Sequence, residues 1–440
     1  MHEDDNDSDL DRRTLIKWTG TATGTLAFAG CLGFGDDSDE DGDESDDDTD
    51  ASMPLDVEDL TRVENPPDAV YLPTHRESME MLEPVEAGEY TLAPMLSYPH
   101  PFWLVTGSGE DEIERQTPEQ MIGVHLMFTL WDDETDTVLP VDDGIELELA
   151  YEGDPVTTQS AWSMISQEMG FHFGDNVPLE DDGTYTVEVT LPALSVRTTG
   201  DLEGRFTDTE TVTVEFEYDQ AFRDRVSDVD YLDEEEWGER GALEPMGHGD
   251  HDHGDHADDG HHDSHGEHGE HHGDGHDHHD HDHDHSHDVP YSQLPEVEAF
   301  PGTILVEPDA DRPAETAELP RSGDAAVLAT LLESGFRLAD GDDRYLLVSP
   351  RTPYNRVPLP AMNIEVVIER DGESVADAID LEETIDDEYG HHYGASLADV
   401  QPGDTVTVTV VSPPQVARHQ GYETAFLEME PIELTVPEEQ

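Results

Sequence analysis

Val124, Leu126, Phe128 and Leu130 alternate with His125, Met127 and Thr129. The same two-residue period returns at Ile145, Leu147 and Leu149, at Val212, Val214 and Phe216, and at Val406, Val408 and Val410. Alternation over runs this short, with Gly, Pro and Asp between them, predicts antiparallel strands with one buried and one wet face. The expected fold class is all-β, with the strands stacked as sandwiches. A single brief helix is expected from Ala325 to Glu333.

The pattern is written twice. Gly170-Phe171-His172-Phe173-Gly174 returns 220 residues later as Gly390-His391-His392-Tyr393-Gly394. The same offset pairs Val212 with Ile432, Val214 with Leu434 and Phe216 with Val436. Between these points an offset of 220 would set Val187 against Thr407 and turn a strand inside out, whereas 219 pairs Val187 with Val406 and Val189 with Val408. A one-residue indel in the loop between them is therefore expected, within a tandem duplication. Asn363 of the second copy is read as the counterpart of His125, and Thr384 as that of Met164.

Composition changes the picture at the two ends of the first copy. The 440 residues hold 109 acidic and 19 basic side chains, a formal charge of −90. Such a surface repels nucleic acid and gives no electrostatic docking on an anionic membrane. It suits solubility in multi-molar salt, where the Debye length falls to about 3 Å and self-repulsion is screened. At the N-terminus Arg12-Arg13 precedes Thr14-Leu15-Ile16-Lys17 and a small, apolar run from Trp18 to Gly30. That run falls short of the roughly 20 residues that span a bilayer. It resembles a twin-arginine export signal, and its end, Phe28-Ala29-Gly30-Cys31, resembles a lipobox. Cys31 is the sole cysteine, so it is the expected lipidation site and no intramolecular disulfide can form. From Asp36 to Asp50, 11 of 15 residues are acidic, which leaves nothing to build a core and makes the stretch a solvated tether. The expected organisation is a signal at 1–31, an acidic tether at 32–54 and a first sandwich at 55–231. An acidic, His-rich disordered linker at 232–289 and a second sandwich at 290–440 complete it.

Candidate chemistry is dominated by imidazole. Of 25 histidines, 17 fall between His248 and His287, interleaved with Asp, Glu and Gly. With an ordinary pKa near 6.5, most of these rings are neutral at pH 7 and free to coordinate. His251, His253, His261, His262, His271, His272, His278, His279, His281, His283 and His285 form the His-Asp-His and His-His pairs of this tract. A flexible chain of such pairs offers many weak, exchangeable sites to borderline ions such as zinc, nickel and copper. Inside the folded regions His100, His125 and His172 belong to the first copy, and His391, His392 and His419 to the second. His172 and His392 are expected in matched, exposed loops flanked by glycines. His125 lies on the strand face opposite Val124 and Leu126. Met164 and Met169 precede His172 closely enough for a joint thioether and imidazole site, which favours reduced copper.

The run Gly170-Phe171-His172-Phe173-Gly174-Asp175-Asn176-Val177, followed by Asp182-Gly183-Thr184-Tyr185, resembles the Gly-x-His-Tyr-Gly-x-Asn-Val segment of the periplasmic ferrous-iron transport proteins. The resemblance covers about fifteen residues per copy. It implies immunoglobulin-like sandwiches, a dimer, and a mixed His/Met site that takes copper or related ions while serving iron uptake. Met164 sits one residue further from the histidine than the family's methionine. The family's later Arg-His pair is similar to Arg418-His419, where the first copy has Thr198-Thr199, and its early strand histidine corresponds to His100 or His125. Neither copy carries a full set. If the relatives pair as dimers, the tandem chain is an intramolecular pseudo-dimer in which Met164 and His172 of one half and His392 and His419 of the other form one shared or two unequal sites.

These readings converge on an anchored, extracytoplasmic lipoprotein on the outer face of the membrane that captures a transition metal (copper, iron or zinc). The tract serves as an antenna and a membrane permease as the recipient. Two alternatives stand beside it: sequestration of excess zinc, copper or nickel, and a surface adhesion protein whose tract is only a spacer. An enzyme is not expected, since the sequence has no nucleophile with a paired base, no His-Glu-x-x-His, no phosphate loop and no dinucleotide fingerprint.

Overall fold

Two pairs of facing antiparallel sheets account for nearly every strand in the computed structural model, which describes residues 61–246 and 289–438 except 110, 111, 119–121, 141–143, 228 and 376. Arg12, Arg13, Cys31, the acidic tether and the histidines from His248 to His287 lie outside the described residues.

In the first half one sheet runs in the order Tyr90–Ser97, Val124–Asp132, Gly170–Val177, Trp162–Ser166, and the other in the order Asp154–Ser160, Glu146–Tyr151, Gly183–Leu191, Glu210–Tyr218. The second half repeats both. Its sheets run Ala325–Leu331, Arg344–Arg351, Gly390–Leu397, Glu382–Asp386, and Glu373–Ser374, Asn363–Arg370, Thr405–Ser412, Ile432–Thr435. Val187 lies opposite Val214 and Val406 opposite Leu434, so an offset of 219 on one strand meets 220 on its neighbour and both valines stay in the core. Register follows the buried face, as a period of two requires.

Ala325–Leu331 is a strand and not the expected helix. All seven of its residues are buried, and it pairs with Arg344–Arg351 along one edge and Thr303–Ile304 along the other. Burial on both faces removes the alternation, and the tertiary setting overrides the helical preference of Ala and Leu.

The halves exchange strands. Ala417–Arg418 of the second half runs parallel to Trp162–Ser166 of the first, placing Ala417 opposite Met164 and Arg418 opposite Ile165. Reciprocally, Arg197–Thr199 of the first half runs parallel to Glu382–Asp386 of the second, with Thr199 opposite Asp386. These segments are the same position of the repeat, 220 residues apart. Each half therefore covers an edge that the other would leave with unpaired backbone groups. The buried Arg418 guanidinium secures one of the crossing segments, donating to the carbonyls of Pro414 at 3.1 Å, Tyr422 at 3.4 Å and Ala425.

The linker is shorter than the expected 232–289. Before the tract, Leu243 N–H donates to Gln167 at 2.7 Å and Met246 N–H to the Glu168 carbonyl at 2.9 Å. After it, Tyr291 donates to the Gln167 carbonyl at 2.9 Å, and Ser292 Oγ accepts from Phe171 N–H at 2.7 Å. Backbone groups that need buried partners draw both flanks onto the first half.

Candidate metal centre

The strand pattern that buries Phe171 and Phe173 in the main core turns His172 to the opposite face of the same sheet. On the neighbouring strand Val124, Leu126 and Phe128 enter the core and His125 points the other way, directly opposite Asn176. Met164 lies opposite His172 on the third strand, so its side chain shares this face. The crossing segment of the second half brings His419 over it, and the turn after Tyr90–Ser97 brings His100.

The expected exposed loops at His172 and His392 are instead buried strands. His125 and His172 have no exposure, and His100 and His419 are 3% and 5% exposed. Gly174 leaves room between the rings: a Cβ there would stand 3.3 Å from His125 Nε2 and 3.0 Å from the Leu126 carbonyl. Glycine inside a strand marks such a close approach.

Three of the four rings are tied from behind. His172 Nδ1 lies 3.2 Å from the Gly170 carbonyl, His100 Nδ1 3.1 Å from the Tyr98 carbonyl, and His125 Nδ1 3.1 Å from Asn176 Oδ1. All three partners only accept, so Nδ1 carries the proton and Nε2 keeps its lone pair. The Nε2 atoms of His100 and His125 are buried without a hydrogen-bond partner. His172 Nε2 and His419 Nε2 stand 3.2 Å apart. Two nitrogens bonded to one tetrahedral ion at about 2.0–2.1 Å are separated by roughly 3.3 Å. Ligand nitrogens of His100, His125 and His419 all fall within 4.8 Å of one another. These three nitrogens can face one ion, and His172 adjoins them through His419.

Electrostatics favours the ligating form. Burial lowers His100 to about 4 and holds His125 and His172 well below the ordinary range, so all three are neutral at pH 7. Glu77 adds one anion, its Oε1 3.5 Å from His100 Nε2 and 3.8 Å from His419 Nδ1. Burial acts to raise this carboxyl, but His100 and His419 outweigh it and bring it to about 2. Met164 completes the surroundings, fully buried against Phe102 and Ala417.

Met169, expected beside His172, instead packs with Met95, Met127, Trp131 and Val138. It reaches the centre only through a cleft that it lines with His75, Glu77, Met79 and His419.

The second half has no equivalent centre among the described residues. His392 keeps the backbone tie, Nδ1 to the Gly390 carbonyl at 3.0 Å, but its Nε2 faces the Tyr345 hydroxyl at 3.4 Å. Tyr345 lies opposite Ser396 as His125 lies opposite Asn176, so Tyr345 and not Asn363 is the counterpart of His125. Asn363 begins a strand of the other sheet. The Tyr345 ring fills the space beside Gly394, where a Cβ would collide with its hydroxyl. Thr384 stands where Met164 does, and Thr199, at the position of His419, donates to Asp386 at 2.6 Å. His391 points to the opposite face and pairs with Glu383 at 2.7 Å. His419 thus joins His172 across the two halves, and His392 does not.

Sequence reading missed Glu77, which one sequence holding 109 acidic residues cannot single out. It left His100 and His125 as alternatives, and the structure brings both to the centre. The unequal Arg418-His419 and Thr198-Thr199 pairs were the signal that the two copies differ here.

A family model described as a domain of unknown function (DUF7350) matches residues 300–435, within the second half. A search of curated proteins gave no match. Among solved structures the chain is similar to a copper-bound variant of FetP from uropathogenic Escherichia coli strain F11, with 20% identity and a TM-score of 0.24 over 32% of this chain and 97% of that one. It is similar also to the as-isolated FetP of the same strain, with 19% identity and a TM-score of 0.24 over 32% of this chain and 95% of that one. At this identity and score the likeness carries no functional weight.

Proposed function

We propose that the chain is an exported, lipid-anchored protein that captures a divalent transition-metal ion at one structured centre, built from His100, His125 and His172 of the first half and His419 of the second. The observation that carries the reading is the set of imidazoles tied at Nδ1, whose Nε2 lone pairs meet in a dry space with a carboxylate beside them. Buried polar atoms without partners are rare and call for an account, and a bound cation supplies one. Imidazole suits zinc, copper and ferrous iron, and Met164 nearby inclines the site toward copper.

Capture proceeds by ligand exchange, with no bond made or broken in a substrate. The histidine tract collects ions in weak, exchangeable sites. Its flanking residues Met246 and Val289 both pack against the methionine cluster that borders the cleft. Ions released by the tract therefore emerge close to the centre at high effective concentration. A membrane permease is the expected recipient, and iron uptake the expected service.

Equilibrium dialysis of the whole chain against copper, zinc and ferrous salts in high salt, followed by challenge with free histidine, tests the reading. Elemental analysis should find a pool that the challenge removes and one equivalent that stays. A chain stripped of every ion by the challenge would sink the proposal.

A further inference from the structure

This inference rests on the metal-binding reading. We propose that Asn176 is the positioning residue of the centre, one carboxamide that fixes the tautomer of His125 and holds the backbone that aims His100. Its Nδ2 donates to the His100 carbonyl at 2.9 Å, and its Oδ1 accepts from His100 N–H at 3.2 Å. These two bonds determine which end of the amide is oxygen, because a carbonyl only accepts and a backbone N–H only donates. The same Oδ1 stands 3.1 Å from His125 Nδ1, which must therefore carry the proton. With Nδ1 protonated, His125 presents a bare Nε2 to the centre. The opposite tautomer would aim an N–H at the ion and could not ligate.

The second half provides an internal comparison. Where the first half has the pair His125 and Asn176, it has Tyr345 and Ser396 in the same register. The half that lost the ring also lost the carboxamide. Asn176 has no competing duty for its side chain, since its backbone N–H goes to Asp175 and its carbonyl accepts from Gln159.

The test uses the whole, metal-free chain with ¹⁵N-labelled histidine. Long-range imidazole spectra report which nitrogen of each ring is protonated, and His100→Gln and His125→Gln variants assign the signals. In wild type both rings should be Nδ1-protonated. In Asn176→Ser, which copies the residue of the other half, His125 should become a mixture of tautomers. The last zinc equivalent should then leave at about 10–100-fold lower chelator concentration, the usual cost of losing a ligand's hydrogen-bond partner. Asn176→Asp keeps the acceptor for His125 Nδ1 but loses the donor to the His100 carbonyl, so it should restore the His125 tautomer, which separates positioning from mere folding. Unchanged tautomers and unchanged retention in Asn176→Ser, or failure of Asp to restore the His125 tautomer, would overturn the assignment. If wild type holds no zinc while Asn176→Ser still shifts the tautomers, the metal reading fails and the positioning role stands.

Discussion

Alanine at His172 and at His419, alone or together, is expected to release the challenge-resistant ion. The two residues come from different halves, 247 positions apart, yet their Nε2 atoms stand 3.2 Å apart. Removing either ring leaves the same ion short of a ligand. Each single loss should exceed the roughly 10–100-fold that follows from losing only a ligand's outer partner. Residues that serve one ion do not add, so the double variant should release it scarcely more readily than either single one. Strictly additive losses with the stoichiometry unchanged would mean that the two rings hold separate ions. His392→Ala, by contrast, should leave retention intact, because Tyr345 and not an ion faces that ring.

Each imidazole buried neutral is expected to cost the metal-free chain stability as the pH falls from 6.5 to 4, against the opposite pull of Glu168 and Asp175, whose carboxyls burial raises to about 7. His100 ionises near 4 in the fold, below its ordinary 6.5, and burial is the main cause. In that interval the unfolded chain binds a proton that the folded chain refuses, so each pH unit downward favours unfolding by about 1.4 kcal/mol for this ring. Over the whole interval His100 contributes a loss of about 3 kcal/mol. His125 and His172 shift the same way and further. Zinc at a thousand times its dissociation constant should add about 4 kcal/mol at neutral pH, and acid should erase that gain as protons displace the ion. Denaturant unfolding from pH 7.5 to 4, with and without zinc, measures both effects. A profile left unchanged by His100→Gln would contradict the burial of a neutral imidazole there.

The alternating segments declared the sandwiches openly. Val187 and Val406 even carried the one-residue slip, because burying either strand's other face would have placed threonines in the core. The exchange of strands was illegible for a physical reason. Ala417–Arg418 and Arg197–Thr199 span two and three residues, too few for any period, and their partners lie more than 180 positions away. Ala325–Leu331 misled because a strand buried on both faces has no alternation to read. His172 was recognisable as a ligand candidate, but its depth was not. Gly170 opens the strand with φ of +70°, whereas Gly174 lies inside it and leaves room beside the His125 ring. Glycines on either side of a histidine look the same in sequence whether they free a loop or hollow out a site.

Crystals of the zinc-loaded chain, measured on either side of the zinc absorption edge, test the central claim most directly. The account predicts one dominant anomalous peak enclosed by the Nε2 atoms of His100, His125, His172 and His419, and none beside Tyr345 and His392. Bound zinc with no peak among those four nitrogens would contradict it.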